Sequence, residues 1–310
     1  MNDRKILITG CAGFIGSNLA DRLCRKGYSV VGVDNLSYGL ASQIPSAVDF
    51  HKVDIRDPAI RPLFNGVDTV FHLAAKNCIA DCQKDPVETA SINVEGTVNV
   101  FEAAQRSGVR KVVYAESSAI YEGSTRLPTP ETEEAPQSFY ALSKQAAHLF
   151  ALGYARFHGL RLSGLRYFCV YGPRQDYRRS IPPVMSAFII RLLRGESPVI
   201  YGTGDKRRDF IHVDDINDFH ELCIDSPLTD GKVFNLGSGT NYSVREIYEH
   251  VAALLDSHVP LTFLPDLPGE AQETLADISR AQQVGWSPKM TLDDGLRTMI
   301  DFIRKNVADS

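Results

Sequence analysis

The chain has 310 residues, of which 44% are hydrophobic and 23% are charged, as in a globular enzyme with a substantial core. Its formal net charge of −5 provides no electrostatic basis for binding nucleic acid or an anionic membrane. No apolar run reaches the roughly 20 residues that a membrane span needs. A ligand that carries phosphate would therefore have to be held by local cations or by backbone N–H groups.

The start of the chain and its cysteines indicate the cellular compartment. The first apolar run ends at Gly10, so it is too short for a signal peptide and is typical of a β-strand. Six cysteines lie at positions 11, 24, 78, 82, 169 and 223, and no second Cys/His pair follows Cys78 and Cys82 at zinc-ligand spacing. We expect free thiols, no metal site and a cytoplasmic protein.

Strand-like and helical segments alternate along the first half of the chain. The patterns predict helices over residues 14–26, 87–107 and 140–158. They predict strands over residues 5–9, 29–33, 49–53, 69–73, 111–115 and 161–168. Strand–helix–strand units of this length form right-handed crossovers. We therefore predict an α/β Rossmann fold, a doubly wound parallel sheet with helices on both faces.

The composition changes after Tyr171, where glycines and prolines separate shorter elements. This composition predicts a loop-rich lobe and no further sheet. We therefore divide the chain into a Rossmann domain over residues 1–171 and a smaller C-terminal substrate-binding lobe over residues 172–310. Some segments of the lobe could cross back to the first domain.

A glycine-rich turn joins the first predicted strand to the first helix. Gly10 permits the tight turn, Gly13 lets the backbone approach a pyrophosphate, and Gly16 lets the helix pack closely on the strand. The helix N-terminus at Phe14 and Ile15 offers free N–H groups to the phosphates. The spacing is Gly-x-x-Gly-x-x-Gly, which is weak evidence alone because such triplets also occur in loops.

Carboxylates at the ends of the next two strands supply the context. Asp34 lies 18 residues after Gly16, where it can accept hydrogen bonds from an adenosine ribose and repel a 2′-phosphate. No arginine occurs in residues 35–39, so the sequence favours NAD over NADP. Asp54 ends the third strand and could reach the adenine, but Asp at a strand end is also a common turn former. Both interpretations of Asp54 stay open at this stage.

Tyr140 and Lys144 are four residues apart at the start of a predicted helix, so both project from one face. A phenol has an unperturbed pKa of about 10, which makes it a poor base at neutral pH. A neighbouring ammonium lowers that pKa by stabilising the phenolate. Such a pair is commonplace on helix surfaces, but after a Rossmann fingerprint we interpret it as catalytic.

Ser117 and Ser118 follow the strand predicted over 111–115, at the carboxyl edge where doubly wound sheets bind ligands. A hydroxyl there can donate a hydrogen bond to a reacting oxygen. The alternative is a serine that only caps a helix or forms a turn.

Eight segments in chain order carry a resemblance to a known family. They are residues 9–16, 72–75, Asn93, 117–121, 140–144, 166–168, 171–174 and 208–210. With them the chain resembles an extended short-chain dehydrogenase/reductase of the NAD-dependent nucleotide-sugar epimerase/dehydratase family. Within that family the pattern is most like that of the UDP-galactose-type 4-epimerases.

The resemblance implies roles for the matching residues. Tyr140 would be the base, Lys144 would anchor the nicotinamide ribose and stabilise the phenolate, and Ser117 would be the third catalytic residue. The implied NAD-binding residues are Gly10, Gly13, Phe14, Ile15, Gly16, Asp34, Asn35, Asp54, Ile55, Leu73, Ala74, Ala75, Asn93, Tyr140, Lys144, Tyr167 and Val170. The implied nucleotide-sugar contacts are Ser117, Ser118, Tyr140, Cys169, Arg208 on the diphosphate and Glu270 on the nucleotide ribose.

Residue 119 distinguishes the reactions of this family. Its dehydratases carry a glutamate there, because losing the C6 hydroxyl needs an acid–base group besides the tyrosine, and its UDP-glucuronate decarboxylases also carry it. This chain has Ala119, and the strand offset of Glu116 and the position of Glu122 aim both elsewhere. We therefore predict epimerisation at C4 through a transient 4-keto sugar. The expected substrate is a UDP-hexose, UDP-N-acetylhexosamine or UDP-hexuronic acid.

Two residues depart from the family pattern. Cys169 replaces an asparagine that contacts the sugar nucleotide, and Leu267 replaces an arginine that binds the diphosphate. A dehydratase, reductase or decarboxylase of the same family is the main alternative, and a non-catalytic NAD sensor is a weaker one because Ser117, Tyr140 and Lys144 are intact.

The resemblance also implies a homodimer formed by the helices at 87–107 and 140–158. On the second helix, a small-residue surface would comprise Ala146, Ala147, Ala151 and Ala155.

Overall fold

The computed structural model describes residues 4–178, 182–266 and 271–306. Its strands are β1 (Lys5–Thr9), β2 (Ser29–Asp34), β3 (Asp49–Lys52), β4 (Thr69–His72), β5 (Lys111–Ser117), β6 (Leu162–Tyr167), β7 (Cys169–Tyr171), β8 (Val199–Tyr201), β9 (Arg207–His212), β10 (Lys232–Leu236), β11 (Asn241–Ser243) and β12 (Thr262–Leu264). Its α-helices are α1 (Phe14–Arg25), α2 (Ile79–Lys84), α3 (Pro86–Ala90), α4 (Gly96–Arg106), α5 (Phe139–His158), α6 (Val184–Leu193), α7 (Val213–Asp225), α8 (Val244–Leu255), α9 (Ser279–Gln283) and α10 (Leu292–Asn306).

Seven parallel strands form the central sheet, in the order β10-β6-β5-β4-β1-β2-β3. Alternate residues of β1 enter different cores: Ile6 and Ile8 pack in a cluster with α1 and α7, and Leu7 packs in a cluster with α4 and α5. Burial of both faces is what a parallel sheet with helices on each side requires. The predicted α/β Rossmann fold is therefore confirmed.

The strand order places a binding crevice beside β1. The chain moves outward from β1 to β2 and β3, and then returns to the other side of β1 to form β4. In doubly wound sheets, ligands bind at the carboxyl ends of the strands at such a reversal. The turn after β1 and the segment after β4 therefore flank the expected cofactor site.

The part of the chain beyond residue 172 contributes to this sheet, so the expectation of no further sheet there is wrong. Strand β10 pairs in parallel with β6, from Lys232 opposite Ser163 to Leu236 opposite Tyr167. The exposed edge of β6 can satisfy the backbone groups of a short buried strand, and composition alone does not reveal such a partner. The division of the chain at residue 172 stays a prediction.

The remaining strands form two small sheets, β11-β9-β7 and β12-β8. A third hydrophobic cluster lies beside them and is built from side chains of α6, α8 and α10, with Phe188, Ile247 and Leu296 fully buried. Strand β7 follows β6 after one residue and pairs with β9, so the third cluster begins directly beyond the carboxyl edge of the main sheet.

The helix predicted over 87–107 is interrupted. The structure has α3, then a π-helical segment at Ser91–Glu95, and then α4. Within that segment, Asn93 is buried and its amide bonds to Lys76 and Ser143. Tertiary hydrogen bonds of one side chain thus favour a local change of helical pitch, which hydrophobic periodicity does not show.

The small-residue surface expected on α5 is partly wrong. Ala147 and Ala151 are buried against their own chain. The solvent-facing side of α5 instead carries large apolar side chains, among them Leu149 and Phe157, which are 62% and 75% exposed. Residues 147 and 151 are four positions apart, so helical spacing puts them on the same face of α5. That face packs against the rest of the chain.

Two further observations concern the described residues. None of their helices is both long enough and apolar enough to cross a membrane. They include all six cysteines, which form no disulfide, and they contain no group of three or more His, Cys, Asp or Glu arranged to hold a metal ion.

Candidate active site

The glycine turn after β1 is packed so closely that Gly10 and Gly16 leave no room for a side chain. Gly10 has φ +72°, and a Cβ there would lie 2.8 Å from the backbone nitrogen of Ala74. A Cβ on Gly16 would lie 2.1 Å from the carbonyl oxygen of Gly10. Gly13 donates its N–H to Gly10 over 3.1 Å and begins α1. The turn is therefore closed tightly against the segment that follows β4.

The N-terminus of α1 is suited to a pyrophosphate. Its N-cap is Gly13, which offers no side-chain cap, and no acidic residue occurs in the first turn at Phe14 and Ile15. The first N–H groups of a helix carry partial positive charge and bind anions when no side chain occupies them. These residues fit the phosphates of NAD.

Asp34 ends β2 with its carboxylate fixed beside the glycine turn. One oxygen accepts the N–H of Ala12 over 3.0 Å, and the other accepts the N–H of Leu36 over 2.8 Å. Burial raises the pKa of Asp34 above its ordinary value, although these two backbone donors oppose the shift. Each oxygen keeps a lone pair for a ribose hydroxyl. This geometry fits the adenosine ribose of NAD.

Asp54 is held by its neighbours. Its oxygens accept hydrogen bonds from Nε and Nη2 of Arg56 at 2.9 and 2.8 Å, and from the Asn35 amide at 2.9 Å. These contacts hold the pKa of the Asp54 carboxyl well below its usual range. Ile55 is buried, and its carbonyl accepts from Asn99 over 2.6 Å. The adenine contact predicted for Asp54 and Ile55 stays a prediction.

Asn93 ties the segment after β4 to α5. Its Oδ1 accepts the N–H of Lys76 over 2.8 Å, and its Nδ2 donates to the Lys76 carbonyl and to Ser143 Oγ, each over 2.9 Å. Ser143 immediately precedes Lys144 in α5. Leu73, Ala74 and Asn93 thus lie on one wall, between the glycine turn and the start of α5.

Beneath that wall, His72 bridges two elements. Its Nδ1 lies 2.7 Å from Thr9 Oγ1 and its Nε2 lies 2.9 Å from Thr97 Oγ1. Burial lowers the pKa of His72 to about 3, so the ring is neutral. Thr9 Oγ1 also accepts the N–H groups of Leu73 and Ala74. These bonds fix the end of β1 against the end of β4.

Tyr140 and Lys144 begin α5, whose N-cap is Ser138. Lys144 is buried and its Nζ donates to the carbonyl of Ala115 on β5 over 2.9 Å. The same Nζ lies 5.9 Å from the centre of the Tyr140 ring. Burial lowers the pKa of Lys144 to about 8, and the negative charge of Glu116 opposes this effect.

Ser117 ends β5, two residues beyond the carbonyl that holds Lys144. Its Oγ accepts the N–H of Ala119 over 3.2 Å and caps the 3₁₀ helix Ser118–Tyr121. The capping interpretation is thus structurally correct, but a hydroxyl that accepts a bond keeps its own proton to donate. The structure brings Ser117, Tyr140 and Lys144 together at the carboxyl edge of β5.

The two glutamates near residue 119 are engaged elsewhere, as expected. The Glu116 carboxylate is buried between Arg166 and His148, at 2.7 and 2.9 Å. Glu122 accepts hydrogen bonds from Ser138 Oγ and from the backbone of Gln137.

The predicted substrate contacts lie on several elements. Cys169 and Val170 belong to β7, and Cys169 pairs with Phe210 of β9, two residues beyond Arg208. Arg208 Nη1 donates to the carbonyl of Arg207 over 2.9 Å. Ser118 begins the 3₁₀ helix and is partly exposed. Glu270 and Leu267 lie outside the described residues.

Tyr167 lies deeper than the other predicted cofactor residues. Its ring is in the core and its hydroxyl is 2.7 Å from Nε2 of His220 on α7. Residue 167 is opposite Ser117 in the strand register. Any contact with NAD would therefore come from the end of its strand and not from the phenol.

The sequence did not single out Lys76, which the structure buries in this wall. Its Nζ is 2.6 Å from a carboxylate oxygen of Glu88. Its position directly after Leu73-Ala74-Ala75 was the one sequence signal for a place in the site. Lysine side chains are usually exposed, and here the carboxylate of Glu88 compensates the buried charge.

Comparison with known proteins agrees with this geometry. The model of the NAD dependent epimerase/dehydratase family matches residues 6–237. The UDP-glucose 4-epimerase of Mycolicibacterium smegmatis is 36% identical over 310 residues, covering 97% of this chain and 98% of that protein.

Two solved structures superimpose on nearly the whole chain. A UDP-glucose 4-epimerase from Thermotoga maritima, in complex with UDP-glucose, has a TM-score of 0.94 at 32% identity and covers 98% of this chain and 99% of that one. A UDP-N-acetylglucosamine 4-epimerase from Methanobrevibacter ruminantium, in complex with UDP-N-acetylmuramic acid, has a TM-score of 0.95 at 31% identity, with 99% and 100% coverage.

The chain therefore belongs to the NAD-dependent epimerase/dehydratase family. It is an enzyme of the nucleotide-sugar 4-epimerase class with NAD as its cofactor. The family, the enzyme class and the cofactor predicted from the sequence are confirmed. The roles of individual site residues stay predictions.

Proposed function

We propose that this enzyme inverts C4 of a UDP-hexose or a close derivative, through a transient 4-keto sugar. The observation that carries the proposal is the position of Tyr140, Lys144 and Ser117. Lys144 Nζ lies by the Tyr140 ring and is fixed to Ala115, two residues before Ser117. These contacts support a site in which a phenol, an ammonium and a hydroxyl act together at the carboxyl edge of β5, where folds of this class bind ligands.

The residues that would hold NAD are those whose geometry fits it. The N–H groups at Phe14 and Ile15 would bind the pyrophosphate, and Asp34 would bind the adenosine ribose. Lys144 would anchor the nicotinamide ribose. The chemistry that bound NAD would supply is reversible hydride transfer at C4 of the sugar, on either face of the ketone.

The chain itself handles the proton of the C4 hydroxyl. Tyr140 removes that proton as the ketone forms, and it returns the proton when the ketone is reduced. Lys144 stabilises the phenolate by its charge. Ser117 donates a hydrogen bond to the same sugar oxygen. No net oxidation accumulates, because the hydride and the proton both return to the substrate.

Water loss from C5–C6 requires a further proton donor. Ala119 has none, while Glu116 and Glu122 are bound to other groups. These contacts support epimerisation over dehydration.

The nucleotide and the sugar rest on similarity. The relatives named above act on UDP-glucose or UDP-N-acetylglucosamine, which supports a UDP-hexose or UDP-N-acetylhexosamine here. A UDP-hexuronic acid is the third candidate, since a similar protein is a UDP-glucuronate 4-epimerase. In this proposal Arg208 binds the diphosphate, Ser118 and Cys169 face the sugar, and Glu270 binds the nucleotide ribose.

The decisive experiment offers UDP-, dTDP- and GDP-sugars to the purified enzyme without added cofactor and identifies products by NMR and mass spectrometry. We expect a C4 epimer with the mass of its substrate, reached from either side of the equilibrium. Tyr140→Phe serves as the inactive control. A product lighter by one water, formed at the main catalytic rate, would overturn the proposal and favour a dehydratase.

We further propose a cytoplasmic homodimer. The exposed side of α5 presents Leu142, Leu149, Phe150 and Phe157, and Val87 on α3 is also strongly exposed. An apolar surface of this kind on a helix is typical of a protein interface. Together with the family resemblance, it supports pairing through α5 and the α3–α4 region. Six unbridged cysteines support a reducing compartment.

A further inference from the structure

A buried carboxylate lies directly behind the catalytic serine. Glu116 precedes Ser117 on β5, and its side chain has no exposed surface. Its Oε2 is 2.7 Å from Nε of Arg166, which is its register partner on β6. Its Oε1 is 2.9 Å from Nδ1 of His148 on α5. Three elements that frame the candidate active site therefore converge on one carboxylate.

The neighbouring strand leaves space for this group. A Cβ on Gly164 of β6 would lie 2.5 Å from Glu116 Oε1 and 2.8 Å from the hydroxyl of Tyr114. Any larger residue at 164 would push the carboxylate away from His148. The backbone of β6 is thus fitted to this carboxylate.

The charges around Glu116 do not balance within the ion pair. Arg166 also bonds to the carboxylate of Glu134, so one guanidinium serves two carboxylates. Its third nitrogen, Nη1, donates to the hydroxyl of Tyr121 and to a backbone carbonyl. Glu134 is partly exposed, so water screens its charge, whereas the fully buried carboxylate of Glu116 strongly attracts a nearby cation in a medium of low dielectric constant.

Lys144 is positioned to be that cation. It lies one helical turn before His148, and its Nζ is bonded to the carbonyl of Ala115, the residue before Glu116. An uncompensated buried ammonium would tend to lose its proton. The catalytic role proposed for Lys144 requires the charged form.

We propose that Glu116 is a positioning residue that keeps Lys144 protonated beneath Tyr140 and thereby sets the pH range in which the pair works. This inference rests on the proposed function only for the role of the pair in catalysis. The negative charge of Glu116 opposes the effect of burial on the pKa of Lys144, which is about 8. Without that charge, the pKa of Lys144 falls below this value. The alkaline limit of activity then moves to lower pH.

Several other groups face this site. The titratable and charged ones are Tyr114 on β5, Arg166 on β6, Tyr140 and His148 on α5, Tyr121 in the 3₁₀ helix, Glu134 in the following loop, Cys82 on α2 and His72 on β4. Among those described, Glu116 is the strongest negative influence on Lys144. Glu134 binds the same guanidinium but is partly exposed to water, which makes it a matched control.

The test compares Glu116→Gln, Glu116→Asp and Glu134→Gln in the full-length protein. The pKa of Lys144 is measured by NMR from the ¹³C shift of its Cε in lysine-labelled protein, with the signal assigned by its loss in Lys144→Met. We expect Glu116→Gln to lower this pKa by about one unit. We expect Glu116→Asp, which keeps the charge, and Glu134→Gln to leave it near the wild-type value.

The pH profile of kcat gives the second measurement. The alkaline limb should move to lower pH in Glu116→Gln and keep its position in the two other variants. A lower kcat with unmoved limbs and an unchanged Lys144 pKa would show a merely structural role and overturn the inference. If Glu116→Gln does not fold, Glu116→Gln/Arg166→Met removes the whole ion pair and is expected to shift the pKa in the same direction.

The NMR titration needs no turnover, so it separates the two proposals. A shifted Lys144 pKa together with near-normal turnover of Tyr140→Phe would refute the proposed catalytic pair and leave the inference on Glu116 intact. An unshifted Lys144 pKa together with an inactive Tyr140→Phe would refute the inference on Glu116 and leave the proposed catalytic pair intact.

Discussion

Lys144 holds its ammonium 5.9 Å from the centre of the Tyr140 ring, one helical turn away on α5. The hydrogen bond from Nζ to Ala115 fixes that position against β5. Packing of the helix and the strand in the core therefore fixes the orientation of the pair. Preorganised charge of this kind stabilises a phenolate without rearrangement at the moment of reaction.

Removing the phenol should abolish most of the turnover. Tyr140→Phe keeps the ring and loses the base, so we expect kcat to fall by roughly two to four decades with NAD still bound. Steady-state rates and the NAD content of the purified protein check this result. Turnover near that of the wild type would show that another group is the base.

The charge of Lys144 predicts a pH dependence. Because burial lowers its pKa to about 8, the ammonium is present below that pH and is lost as pH rises through it. We expect kcat of the wild type to decline on the alkaline side from about this pH. Lys144→Met should lack this limb and have low activity throughout, which a full pH profile of both proteins would establish.

The cofactor preference should depend on Asp34. Asp34→Asn removes the charge and keeps one of the two oxygens that accept the N–H groups of Ala12 and Leu36. We expect NAD affinity to fall about ten- to a hundredfold, with a smaller or opposite change for NADP. Calorimetric titration of cofactor-free protein with both dinucleotides measures the two effects. If NADP already competes equally with NAD in the wild type, our interpretation of Asp34 is wrong.

The apolar side of α5 should mediate dimerisation. Leu149→Glu and Phe157→Glu place charges on that surface and should convert a dimer to a monomer at micromolar concentration. Leu228→Glu is the control, since Leu228 is also an exposed apolar residue but lies in the 3₁₀ helix Pro227–Thr229. Light scattering of the three variants decides the matter, and a monomeric wild type would contradict the prediction.

Two buried histidines should make the fold sensitive to acid. Burial lowers the pKa values of His72 and His220 to about 3, from an ordinary value of 6.5. Below pH 6.5 these histidines bind protons in the unfolded chain but not in the folded chain. The free energy of unfolding therefore decreases as the pH is lowered. Each group contributes a slope of up to about 1.4 kcal/mol per pH unit.

His220→Gln isolates one of these contributions. Urea unfolding of the variant and the wild type between pH 7 and pH 4.5 should show a shallower loss of stability in the variant, even if its stability at pH 7 is lower. Parallel curves for the two proteins would mean that His220 is protonated in the folded state.

The sequence alone determined the fold class and the cofactor, and it predicted the catalytic residue types. Apolar runs of strand length alternate with helical patterns, and this local pattern suffices because hydrogen bonding within strands and helices repeats at a fixed period. The glycine turn was equally readable, since a Cβ at residue 16 would collide with the backbone of Gly10, two positions of the same short turn. The family resemblance then followed from motifs in their order along the chain.

Only the tertiary structure decided which side chains share a site and which charges face each other. Strand β10 completes the sheet because β6 had a free edge, and the π-helical segment forms because Asn93 reaches Lys76 and Ser143. The offset of Glu116 along β5 predicts only that it points away from residue 119, whereas the fold places it against Arg166 and His148, one residue beyond the carbonyl that binds Lys144. Burial and long-range charge depend on residues that are far apart in the chain, such as Glu116 and Arg166 at 50 positions, and no local pattern encodes that distance.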